Sequence, residues 1–275
     1  MNRSLWGGGL ALALALSVIA IGVFVWWQRQ EAISGPIPKL APPMEAPVAV
    51  APPPAAPAVA HPIAAAASGV PAGPTDPLAA LADLFGRKAA LSMFQVDDFP
   101  HRVAATIDNL GRPTASARLW PVNPASGQFA VDHRADGVFV APDNGLRYSA
   151  FVQLLETVDL RRAADAYVRF YPGLQKAYED LGYPDRYFND RLVEVIDVLL
   201  ATPEPQGPLK VHLPPINGPV QPTRPWVLYE FDDPALQGLT AGQKMLLRMG
   251  PVNERRIKAR LAAFRGLVAP GGAAR

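Results

Sequence analysis

Phe188-Asn189-Asp190-Arg191-Leu192-Val193-Glu194-Val195-Ile196-Asp197-Val198-Leu199-Leu200 contains neither glycine nor proline. Leu192, Ile196, Leu199 and Leu200 recur at steps of three and four, which is the period of a helix buried on one side. Asp190, Glu194 and Asp197 recur at i, i+4 and i+7 on the opposite face, which reads as a wet face. Asn189 supplies a cap residue, and Pro203 marks the stop. This stretch has the period of a helix and not of a strand, so the fold is sought among helical architectures.

The same period recurs on both sides of it. Asp76-Pro77 opens a helix with a cap residue and a proline in the first turn, and Leu78, Leu81, Leu84 and Phe85 form its apolar face. A second helix holds Val103, Ile107 and Leu110 and stops at Gly111 and Pro113. Tyr148 to Val158 and Asp159 to Leu181 predict two more, the latter capped by Asp159 and broken or bent at Pro172. Asp233-Pro234 opens the last helical region. Thr240-Ala241-Gly242-Gln243 is a capping box, and Gly250-Pro251 divides two final helices, the second reaching Val268.

Between residues 119 and 141 the pattern changes to alternation. Phe129 and Val131, then Val138 and Val140, flank Asp136-Gly137, as in a hairpin. Short strands are expected at Leu209 to Leu213 and Trp226 to Phe231. The expected class is mainly α with a small β-hairpin and short strands (α+β), filling residues 77–268, with a disordered tail at 269–275.

Upstream, Leu5 to Trp27 holds no charged residue. Such a run makes a helix of roughly 35 Å, enough for a hydrocarbon core of ~30 Å. Trp26-Trp27 suits the headgroup interface, and the run is too long and its end too bulky for a cleaved signal. The expectation is an uncleaved single-pass transmembrane anchor in a bacterial inner membrane. Residues 1–4 would form a cytoplasmic tail and the C-terminal domain would stand in the periplasm. Residues 28–76 form a Pro/Ala-rich linker, in which proline blocks helix and sheet alike. An extended polyproline form would reach on the order of 130 Å.

From Tyr148 onward a family pattern is dense. Tyr171-Pro172 with Gln175 and Ala177-Tyr178, Leu181-Gly182-Tyr183-Pro184, Phe188-Asn189-Asp190-Arg191-Leu192, Ala201-Thr202-Pro203, Leu228-Tyr229-Glu230-Phe231 and Gln243-Lys244-Met245-Leu246-Leu247-Arg248-Met249-Gly250 carry it. Over about residues 75–268 the chain resembles the bacterial domain-of-unknown-function family DUF 3014. The resemblance implies an N-terminal membrane segment, common in the family, and transfers no catalytic residue. Residues 114–145 depart from the pattern.

The chain has no cysteine, which removes disulfides, thiolate zinc sites, iron–sulfur ligation and a cysteine nucleophile. It has no Gly-x-Ser-x-Gly elbow, phosphate loop or His-Glu-x-x-His pair, and its four histidines have no metal spacing. No cofactor is expected. Asp132-His133-Arg134 with Asp136 reads as a polar turn.

Arg191 is the first side chain of interest. It lies at helical spacing beside Val195 and Val198, so an ion partner is required, and Glu194 and Glu230 are the candidates. A ligand-binding arginine is the other reading. The C-terminal end is the second point of interest. From Lys244 to Arg275 eight Lys/Arg face Glu254 alone, whereas residues 78 to 243 hold fifteen basic and twenty acidic side chains. Lys244, Arg248, Arg255, Arg256 and Arg260 are therefore candidate binding residues for an anionic lipid, an anionic polymer or another envelope protein, or else a solvated balance to the acidic domain. In the last helix Val252, Ile257, Leu261, Phe264 and Val268 are expected inside. A periplasmic location excludes nucleic acid.

Two functions follow. The first is a membrane-tethered, non-enzymatic binding or assembly module of the cell envelope. The alternative is an envelope hydrolase or transferase using carboxylates near Asp190, Glu194 and Glu230. Convergence of two carboxylates in an open cleft would favour the second.

Overall fold

The computed structural model describes residues 58–63, 69, 73–215 and 222–270. The anchor expected at Leu5–Trp27 lies outside them, as do residues 1–4, most of 28–76 and the end of the tail. No helix among the described residues is long and apolar enough to cross a membrane. They all fall in one compact unit, Ala55–Arg275.

That unit is mainly helical with two small antiparallel strand pairs. In chain order it runs α1 (Pro77–Phe85), α2 (Arg87–Met93), α3 (Phe99–Leu110), β1 (Val131–Arg134), β2 (Gly137–Val140), α4 (Leu146–Thr157) and α5 (Leu160–Asp180). Then come α6 (Phe188–Leu200), β3 (Val211–His212), β4 (Glu230–Phe231), α7 (Pro234–Gln237), α8 (Ala241–Met249) and α9 (Pro251–Val268).

The local signals act where the sequence places them. Asp76 accepts from the Ala79 amide, Asp159 from Arg161 and Arg162, and Asp233 from Ala235. Thr240 and Gln243 close the capping box on both sides. Gly250 stands at φ 81°, a left-handed value that a side chain disfavours, and separates α8 from α9. The hairpin pairs Val131 with Val140 and Arg134 with Gly137, around Asp136-Gly137.

Helix α6 is the hub of the core. Phe188 joins Ala104, Tyr171, Leu174 and Tyr178. Val195 and Leu199 join Val152, Leu246 and Ile257. Leu192, Val193 and Ile196 meet Val268. A helix that feeds three clusters is apolar almost all round, so its expected wet face shrinks to Glu194, with Asp190 and Asp197 half-buried. The strand pairs form a fourth cluster with Leu247 of α8, through Val211 and Phe231.

Several expectations need correction. Asn189 does not cap α6: the cap position is Tyr187, and Asn189 is fully buried two residues further on, in the first turn. Pro172 does not break α5, which is a single helix across it. Tyr171, Leu174, Ala177 and Tyr178 on either side seat both halves on one cluster, which offsets the missing amide bond. The strand expected from Trp226 is only Glu230–Phe231, because Pro225–Val227 forms a 3-10 turn. Val252 points outward at 60% exposure, since α9 begins beyond the edge of the core.

The capping box contains a glycine for a tertiary reason. A Cβ on Gly242 would lie 2.5 Å from Leu199 Cδ2 and 3.0 Å from the Leu110 carbonyl oxygen. Glycine-to-alanine in a helix ordinarily stabilises by ~1 kcal/mol. Here Gly242→Ala is expected to destabilise by about 1–3 kcal/mol, because α8 must move away from α3 and α6. Chemical denaturation measures it, and a gain in stability would refute this close approach.

Candidate functional site

Arg191 bridges α3 and α6. Its Nε donates to Asp108 Oδ1 at 3.1 Å, its Nη2 to the Asp108 carbonyl at 2.8 Å and its Nη1 to Glu194 Oε1 at 2.8 Å. Arg112, one turn after Asp108, closes on Asp108 Oδ2 at 2.7 Å. Gly111 makes room: a Cβ there would stand 2.8 Å from Arg191 Nη2. Glu194 is thus a partner as expected. Glu230 is not, and Asp108 takes its place. This network floors a cleft of about 830 Å³.

The carboxylates of α6 are each engaged separately. Asp190 accepts the Ala60 and His61 amides, and Asp197 receives both Nε and Nη2 of Arg265. Glu230 lines a different cleft from Glu194. Asp190 and Glu194, two of the three carboxylates of the hydrolase reading, do line one cleft, where main-chain amides engage Asp190 and Arg191 engages Glu194. Among the described residues no cluster of His, Asp and Glu suits a metal ion.

Helix α9 does not present a basic face. Arg256 grips both oxygens of Glu156, and Arg260 donates to the Val158 carbonyl. Lys258 lies 2.9 Å from Glu254 and 3.5 Å from Glu204. Of the three α9 arginines singled out from sequence, Arg255 alone is exposed, 3.9 Å from Glu204. Helix α9 is bound by these pairs to α4 and to the loop after α6, and by Arg265–Asp197 to α6, so its positive count is an internal balance.

Lys244 and Arg248 behave differently. They stand one turn apart on α8, half-buried, facing a second cleft of about 780 Å³. Lys244 Nζ donates to the Gln237 carbonyl at 3.2 Å, and Arg248 Nη2 to the Tyr229 carbonyl at 2.7 Å. The Arg248 guanidinium lies 5.3 Å from the Phe231 ring and 6.0 Å from Phe129. Burial depresses the basicity of both, and Arg248 depresses Lys244 further, while Glu230 opposes the shift in each. Arg147 and Arg224 also line the cleft, and Glu230 is the lone carboxylate there. Among the described residues none of these four cations has a carboxylate within ion-pair distance.

The walls are aromatic: Trp120, Phe129, Tyr148, Trp226 and Tyr229. Trp120 Nε1 is buried with no hydrogen-bond partner among the described residues, an unsatisfied donor at the cleft. Sequence reasoning singled out Lys244, Arg248 and Glu230 and missed these rings. The available signal was aromatic density inside the Pro-rich stretches 114–145 and 204–231, which carry no helical period.

Residues 99–265 match the family model described as "Protein of unknown function (DUF3014)". No curated protein and no solved structure matches the chain.

Proposed function

Because the chain belongs to the DUF3014 family, whose description names no chemistry, we propose a function from geometry alone: a non-enzymatic module that binds an acidic glycan of the cell envelope. The observation that carries it is the Lys244–Arg248 pair, half-buried among aromatic rings without a carboxylate partner. Two half-buried cations that share one nearby carboxylate, Glu230, leave an excess of positive charge, and an anionic ligand offsets its cost. Flat aromatic walls suit the apolar faces of sugar rings, while the two cations fix an acidic group. The volume falls within the range of ~300–1,000 Å³ usual for ligand sites. In this reading the Leu5–Trp27 segment holds the module at the inner membrane, and residues 28–57 give it reach into the periplasm.

The reading is tested with polygalacturonate as acidic probe and dextran as neutral probe, on full-length protein in neutral detergent. Lys244→Gln is expected to weaken polygalacturonate binding about tenfold, a difference of about 1.4 kcal/mol. Trp226→Ala, which keeps both cations, is expected to weaken it comparably. Affinity also declines with rising pH sooner than an exposed lysine would dictate, because burial lowers the Lys244 proton affinity. Equal binding of dextran, or indifference to Lys244→Gln, refutes the proposal.

A further inference from the structure

Residues 58–63 belong to the Pro/Ala-rich stretch, whose composition gives it no means of ordering itself. They nevertheless lie against the first turn of α6. Asp190 Oδ2 accepts the Ala60 amide at 3.0 Å and Asp190 Oδ1 the His61 amide at 2.6 Å. Asn189 Nδ2 donates to the His61 carbonyl at 2.8 Å, and the Tyr187 hydroxyl accepts the Ile63 amide at 3.1 Å. Every one of these bonds reads the main chain. Pro62 stands at the one position from His61 to Ile63 that contributes no amide, so its missing N–H loses nothing. Its ring also biases His61 toward extended backbone. The Ile63 side chain packs against the Ala104, Tyr171 and Phe188 cluster. Ala58 and Val59 complete a wall of the cleft over Arg191.

We infer that Tyr187, Asn189 and Asp190 form a main-chain docking site for an extended Ala-x-Pro-aliphatic peptide, and that its occupant is this chain's own Ala60-His61-Pro62-Ile63. The carboxylate clamps two successive amides with charge-assisted bonds. Tethering supplies an effective concentration in the millimolar range, so a weak peptide contact suffices to keep the site filled. The consequence is mechanical. Docking ends the free spacer near residue 57, and release of the segment adds residues 58–72 to it, up to ~45 Å of extended chain, since Arg169 holds the Pro74 carbonyl on the domain. The domain thus carries a catch that sets the length of its own tether.

Residue-resolved amide exchange on the full chain tests this, with two of the four substitutions on the tether side, where the domain's folding is not at stake. In the unaltered chain the His61 and Ile63 amides are expected to exchange at least ~10-fold slower than unstructured amides. Ala60→Pro deletes one clamped amide, and Asp190→Ala deletes the clamp. Both are expected to bring His61 and Ile63 to unstructured rates, with the amides of α5 and α9 unchanged. Pro62→Ala and Glu194→Gln are expected to leave the protection in place. Unprotected amides in the unaltered chain overturn the inference, as does loss of protection in Pro62→Ala equal to that in Ala60→Pro. Protection that disappears on dilution overturns the cis assignment, because the segment would then come from a second copy.

Discussion

Arg191→Ala is expected to lower the melting temperature of the domain by roughly 6–12 °C, the equivalent of about 3 kcal/mol for a domain of this size. The substitution removes three hydrogen bonds at once and strips Asp108 of its α6 partner. The Asp108 side chain is only 10% exposed, so its charge cannot turn to water. Arg112 and, at 3.4 Å, the Tyr183 hydroxyl remain to hold it. Glu194 is the opposite case. Its side chain is 59% exposed, and Glu194→Ala is expected to change stability by no more than about 0.5 kcal/mol. Replacing both members of the inner pair, Asp108→Asn with Arg191→Met, should cost less than Arg191→Ala, since no buried charge is then left unpaired. Thermal unfolding of the four proteins checks the ranking. An unchanged melting temperature in Arg191→Ala would contradict a structural role and return Arg191 to the list of ligand-binding residues.

Asn189→Asp is expected to cost about 2–4 kcal/mol, and it separates two roles that one residue could play. At a helix cap Asn and Asp are nearly equivalent, so the change would be close to neutral. In the buried position, Asn189 Oδ1 accepts from the Tyr167 hydroxyl at 2.9 Å, while Nδ2 donates to the carbonyls of His61 and Val268 at 2.8 and 2.9 Å. An aspartate keeps the shape but loses both donors and aims an oxygen at two carbonyl oxygens. The Val268 bond fastens the end of α9 to α6, so that terminus should loosen first. Denaturation midpoints together with amide exchange at Val268 and Ala269 read the effect. A near-neutral Asn189→Asp would restore the cap role.

These two residues also mark where sequence reading succeeds and where it stops. Asp76, Asp159, Thr240 with Gln243, and Gly250-Pro251 act through bonds three or four residues long, so their spacing alone discloses them. The hairpin around Asp136-Gly137 is legible for the same reason. Asn189 carries a cap residue's chemistry at a plausible place, yet its partners lie 22, 79 and 128 residues away in the chain. Nothing local distinguishes a cap from a hub. Arg191 announces its need for a partner through its apolar neighbours, but Asp108 is 83 residues distant and looks like any polar residue of an amphipathic helix. Pro172 is a breaker by local rules and survives because Tyr171 and Leu174 are held from outside the helix. The excess of cations after residue 243 is visible in the sequence, but only the fold sorts it. Arg256 and Arg265 find carboxylates, whereas Lys244 and Arg248 find aromatic rings and carbonyls. Most of the cleft walls come from Pro-rich segments without a helical period, which are readable only after folding.

The most direct test of the cleft's role uses two residues that the sequence supplies. Beyond Trp27 the chain has only Trp120 and Trp226, and both line the cleft. A full-length protein with Trp6, Trp26 and Trp27 replaced by phenylalanine therefore reports the cleft alone by its fluorescence. Titration with polygalacturonate is predicted to change that emission saturably, with a midpoint about tenfold higher in Lys244→Gln and no change on adding dextran. An emission that ignores polygalacturonate, or responds equally to dextran, would contradict an acidic-glycan site at Lys244 and Arg248.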